Sequence, residues 1–111
     1  MNEFEPNGLH PNAPGAKLDG GKMRAGLMVG DFAHALRAVA SVTTFGAAKY
    51  TPRGWQSVPN ADERYMDAAM RHILADLAGE AIDADSQQLH IAQAAWNLLA
   101  VLELRLRESV S

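Results

Sequence analysis

Apolar residues recur at helical spacing in three stretches of this chain. Tyr65, Met66, Ala69, Met70, Ile73, Leu74 and Leu77 follow one another at intervals of three and four, which lines one face of a helix. Asn60 reads as its N-cap, Asp62 and Glu63 as first-turn acids that complement the helix dipole, and Gly79 as its C-terminal stop. Upstream, Phe32, Leu36, Val39, Ala40 and Thr43 predict a helix from Met28 to about Lys49, with Asp31 as a cap or first-turn residue. His34 and Arg37 fall outside that stripe and are expected in solvent, while Ala35, Ala38 and Ser41 would let another helix approach closely. Downstream, Leu89, Ile91, Ala92, Ala95, Leu98, Leu99, Leu102 and Leu106 predict a third helix to about Arg107, with the last residues frayed. Its apolar face is broad enough for two neighbours or a subunit boundary. No strand-like alternation and no Asn-Gly hairpin turn occurs between about residues 25 and 107.

Residues 1–22 have no such pattern, and they hold three of the five prolines and four of the nine glycines. That composition predicts an extended or partly disordered arm. Lys17, Lys22 and Arg24 beside a double glycine leave it two uses, a plain flexible leader or an arm closing over an anionic ligand or a neighbouring subunit. The expected fold is therefore all-α: a small antiparallel bundle of three main helices over residues 23–111, one domain, behind an N-terminal arm over 1–22.

Composition narrows the chemistry. The absence of cysteine removes disulfides, thiolate metal sites and a cysteine nucleophile, so any metal would be held by carboxylate, imidazole, amide or water. Hard cations such as Mg²⁺ or Mn²⁺ fit such a donor set. A net charge of -3 leaves no basic footprint for duplex nucleic acid. Neither a membrane span nor a signal-peptide layout is legible, which predicts a cytoplasmic protein.

Two stretches concentrate reactive groups. Pro52 and Gly54 open a loop after the first helix, and it carries Lys49, Tyr50, Arg53 and Trp55. Lys and Arg grip phosphate and the rings offer faces for a base, whereas the plainer reading has the rings plug the end of the bundle. The second stretch is Arg71–Asn97. Glu80, Asp83 and Asp85 lie just beyond a helix end, where their charges repel unless a cation or basic groups sit among them. A short connection makes the flanking helices antiparallel, so His72 and Asp76 should approach His90 and Gln93. These groups either complete a divalent-metal site or form an acidic, solvated turn with two hydrogen-bonded histidines.

The series FGAAKY, GW, RH, GE, a D-x-D-S turn, then H and WN in the next helix resembles the N-terminal-type domain of phage dATP/dGTP diphosphohydrolases, a MazG-like group of nucleotide pyrophosphohydrolases. The resemblance spans about residues 17 to 105. It implies a metal-dependent enzyme that cleaves a purine deoxynucleoside triphosphate between the α and β phosphates, giving the monophosphate and pyrophosphate. Lys49, Tyr50 and Trp55 match the loop element, Arg71 and His72 the second-helix element, and Glu80, Asp83, Asp85 and Ser86 the acidic turn; His90 and Asn97 match the third helix. On that basis Glu80, Asp83 and Asp85, with Asp76 nearby, would hold Mg²⁺ or Mn²⁺. His72, Glu80 and His90 would serve catalysis, with one histidine as general base. Lys49, Arg53 and Arg71 would bind phosphates, Tyr50 or Trp55 the base, with Ser86 and Asn97 completing the nucleotide site. The chain departs from the pattern at Gln87, where glycine is expected, and at Gln93, where a second histidine is expected. It also lacks the paired E-x-x-E and E-x-x-D helices of typical MazG-like enzymes. Three helices enclose a nucleotide poorly, so a homodimer or homotetramer with the site near a subunit boundary is expected. The alternatives are a nucleotide-sequestering phage protein without catalysis, and a helical interaction protein with no small ligand.

Overall fold

The computed structural model describes residues 3–110. Four α-helices and one 3-10 turn make up the regular structure among these residues, without a strand, as the helical periodicity predicts. None of the helices is long and apolar enough to cross a membrane. The chain divides after Phe32 into two units.

In the first unit the stretch read as an extended arm folds back on itself. Gly20 donates its N–H to the Phe4 carbonyl at 2.8 Å in an isolated antiparallel bridge. A Cβ at Gly20 would overlap the half-exposed Phe4 ring, so a larger residue there would require that ring to turn aside. The Glu5 carboxylate accepts the backbone N–H groups of Lys17 and Asn7, at 3.1 and 2.5 Å, and these bonds hold its pKa below the usual range. Lys22 pairs with Glu3 at 3.0 Å. Helix α1, Ala25–Asp31, ends this unit.

The helix predicted to start at Met28 is thus interrupted. Phe32 leaves helical geometry at φ −111°, directly after Gly30 and Asp31, which are both weak helix formers. Asp31 consequently ends α1 rather than opening a helix, and α2 runs Ala33–Lys49. Its inward stripe is Leu36, Val39, Val42 and Phe45, all half-buried, while Phe32, Ala40 and Thr43 are exposed. Thr43 and Thr44 satisfy their hydroxyls locally on the Val39 and Ala40 carbonyls, at 3.1 and 2.9 Å. His34 and Arg37 are exposed, as expected.

Helix α3, Ala61–Leu77, and helix α4, His90–Val110, form the principal pair, and α2 packs on α4. They run antiparallel: Arg105 grips Asp62 bidentately at 2.5 and 2.9 Å near one end, and His72 meets His90 near the other. The buried apolar residues are nearly all small, namely Ala69 in α3 and Ala92, Ala94, Ala100 and Val101 in α4. Small side chains let helix backbones come close, and the larger residues are displaced to the rim. Met70, Leu74, Leu77, Ile91, Leu102 and Leu106 are each more than half exposed. Asn60 occupies the cap position of α3, but its own backbone is left-handed at φ 55° and its side chain caps nothing; Asp62 and Glu63 supply the expected first-turn charge.

Between α3 and α4 the chain makes a tight hairpin. Gly79 turns at φ 100°, an open conformation for glycine, and the Glu80 N–H reaches back to the Ala75 carbonyl at 3.0 Å. An antiparallel bridge then joins Ile82 to Leu89, flanked by His90 N–H to Ala81 O and Asp83 N–H to Gln88 O, both at 2.9 Å. Gln87 sits in the left-handed region at φ 60°, which explains why glycine suits that position. Its side-chain amide bonds the Ala84 carbonyl at 2.8 Å and offsets part of the strain.

Substitutions at three positions separate the contributions of seam, solvent face and turn. Ala69→Leu, at a fully buried position, should lower the unfolding free energy by about 1–3 kcal/mol in urea titrations. Ala48→Leu on the exposed face of α2 should shift it by less than about 0.5 kcal/mol. At the turn, Gln87→Val should cost about 1–2 kcal/mol because a branched side chain tolerates the left-handed region worst, whereas Gln87→Gly should be near neutral.

Candidate functional site

The hairpin brings three titratable side chains from three elements together. His72, in the later turns of α3, and His90, the first residue of α4, meet with Nδ1 atoms 2.9 Å apart and ring centroids 5.1 Å apart. Two neutral imidazoles can bond this way only if one Nδ1 carries a proton and the other accepts it. Asp83, on the hairpin, completes the group, since one ligand atom of each residue lies within 4.8 Å of the others. Its carboxylate is held from both sides. Oδ1 accepts the Asp85 N–H at 3.0 Å and Oδ2 accepts the Gln93 side-chain amide at 3.2 Å. His90 is buried, and its Nε2 has no hydrogen-bond partner; Glu80 Oε1 lies 3.5 Å from it, on a side chain more than half exposed.

Two of the three groups have shifted acidity. Burial pushes the His72 pKa down, the nearby His90 and Arg71 add to this, and Asp83 opposes it. Partial burial pushes Asp83 up, but the Asp85 amide, the Gln93 side chain and the two imidazoles outweigh it and leave the carboxyl below its usual pKa. A carboxylate with two imidazoles is a donor set suited to a divalent metal.

The remaining candidate residues fall into three places. Asp76 and Asp85 lie outside the group, Asp76 half-buried on α3 and Asp85 exposed on the hairpin, where its backbone rather than its carboxylate contributes. Ser86 and Asn97 are buried and structural in their bonds: Ser86 Oγ accepts the Gln88 N–H at 3.2 Å, and Asn97 donates to the Gln93 carbonyl at 2.8 Å, bracing the start of α4. Lys49, Tyr50, Arg53 and Arg71 are exposed cations and ring; Lys49 Nζ lies 5.1 Å from the Tyr50 ring centroid, and Arg53 adopts φ 66° ahead of the 3-10 turn Gly54–Ser57.

Trp55 follows the plug reading. It is half-buried, edge-on to Tyr65 and Trp96 at 6.5 and 5.7 Å, and its carbonyl accepts the Tyr65 hydroxyl at 2.6 Å. Arg107 covers the ring at 5.7 Å while donating to Gln56 and Glu103, both at 2.6 Å. Tyr65, Trp96, Gln56 and Arg107 were not identifiable as a cluster from local sequence.

No curated protein and no solved structure matches the chain. A family model does, over residues 12–110, and its description is dATP/dGTP diphosphohydrolase, N-terminal. With the match extending across both units and nearly all of the chain, this protein belongs to that family.

Proposed function

We propose that this chain hydrolyses purine deoxynucleoside triphosphates between the α and β phosphates, releasing the deoxynucleoside monophosphate and pyrophosphate. The observation that carries the reading is the convergence of His72, Asp83 and His90 at the α3–α4 hairpin, in a chain of a family described by that activity. Water adds at the α-phosphorus as the bond to the bridging oxygen breaks, and that oxygen departs on pyrophosphate. Glu80 takes the water's proton: its carboxylate is open to solvent at the rim of the site, beside His90. Arg71, exposed next to His72, and Lys49 meet the charge of the phosphates, and Tyr50 offers an open face to the base. A bound Mg²⁺ or Mn²⁺ would polarise a phosphate oxygen and lower the pKa of a bound water. Asp83 with the two imidazoles is the set that would hold it, in place of an all-carboxylate turn of Asp76, Glu80 and Asp85.

A second copy of the chain belongs to this reading. Leu74 and Leu77 on α3, with Ile91, Leu102 and Leu106 on α4, leave apolar faces in water, and pairing of like chains would remove them while deepening an otherwise shallow site. Gln93 favours a second reading, a nucleotide-sequestering protein, because its neutral amide is occupied by Asp83 and cannot transfer protons.

Incubation with dGTP or dATP and Mn²⁺ should release pyrophosphate. With Mn²⁺ in saturating excess, Glu80→Gln should lower kcat by about 10²–10⁴-fold, because it removes proton transfer. Tight nucleotide binding with no pyrophosphate would establish sequestration instead. Sedimentation should give a mass of at least twice 12.0 kDa, and Leu74→Glu with Leu77→Glu should return it to the single-chain value.

A further inference from the structure

We propose that His72, Asp83 and His90 form a three-ligand centre for one six-coordinate first-row divalent ion of the Mn²⁺ and Co²⁺ kind, bound through both Nδ1 atoms and the Asp83 carboxylate. This deepens the hydrolytic reading and rests on it only for the ion's role in turnover.

The donor set comes first. Two imidazoles and one carboxylate favour transition ions over Mg²⁺, which prefers oxygen ligands and retains its water. Two imidazoles and one carboxylate with open positions beside them are the facial set of a six-coordinate ion. The Nδ1 atoms already lie 2.9 Å apart in the hydrogen bond that joins the rings, so an ion that displaces the shared proton meets both nitrogens with little movement of either.

The outer atoms of the cluster agree with this assignment. An ion on His90 Nδ1 places the ring's proton on Nε2, the buried atom that lacks a hydrogen-bond partner. That N–H then faces Glu80 Oε1, 3.5 Å away, in the carboxylate–histidine arrangement that fixes the tautomer of a metal ligand. Asp83 is already aimed by the Asp85 N–H and the Gln93 amide, so little side-chain freedom is lost when the ion enters. Three protein ligands leave three positions for water or phosphate oxygens, and no further residue is required.

The test uses the full chain, freed of metal with a chelator and titrated with Co²⁺ by visible absorption and with Mn²⁺ by electron paramagnetic resonance. One ion per chain is expected, with the weak d–d bands of six-coordinate Co²⁺, and an excess of Mg²⁺ of about a hundredfold should not displace it. Glu80→Gln should weaken binding by about 10–100-fold, and His72→Ala or Asp83→Asn should weaken it further. Asp83→Asn keeps the shape of the side chain, and helical circular dichroism confirms that each variant is folded. Failure of the native chain to bind Co²⁺, or binding untouched by both ligand variants, overturns the centre. Intense tetrahedral bands overturn the six-coordinate assignment. Pyrophosphate release without the predicted binding removes this centre but leaves the hydrolase reading standing. Stoichiometric binding without turnover supports the centre and removes the hydrolase.

Discussion

Helices α3 and α4 can lie close together because the side chains buried in the bundle are small. Ala69, Ala92, Ala94 and Ala100 contribute little volume, so the backbones set the distance and the larger residues ride at the edges. Everything at the hairpin end depends on that approach. Two imidazoles on different helices come within 2.9 Å only when the helix axes are near, and the Asp62–Arg105 pair fixes the same alignment towards the opposite end.

The connection between these helices is an active part of the geometry. Its bridge from Ile82 to Leu89 and the bond from the His90 N–H to the Ala81 carbonyl close it into a hairpin that starts α4 at a set point. Asp83 is thereby turned back over the helix ends, while Asp85, two residues on, is left in water and contributes only its amide. The repulsion expected of a crowded acidic turn is thus avoided by spacing: one carboxylate faces the imidazoles, one flanks them from the rim at Glu80, and the third is solvated.

The helices were legible in the sequence wherever the apolar spacing was long and unbroken, as in α3 and α4. What escaped was set by backbone detail. The break at Phe32 follows two weak helix formers inside an otherwise periodic run, and the inward face of α2 carries Val42 and Phe45 while Ala40 and Thr43 are left exposed. In the site, His72, Asp83 and His90 were identifiable as chemistry and as neighbours, since a short connection forces antiparallel helices. Their grouping without Asp76 and Asp85 was not, because it depends on a hairpin whose hydrogen bonds pair residues that carry no local signature. The same holds for Trp55, whose partners come from the start of α3 and from α4.

Both tryptophans of the chain, Trp55 and Trp96, stand edge to face at 5.7 Å, with Tyr65 against each of them. Intrinsic fluorescence from this protein therefore originates at a single spot where the 3-10 turn, α3 and α4 meet. Residues 1–32 contain no tryptophan and add almost nothing to it. The emission is a built-in optical gauge of whether the loop after α2 is seated on the bundle, and it is blind to what the N-terminal unit does on its own.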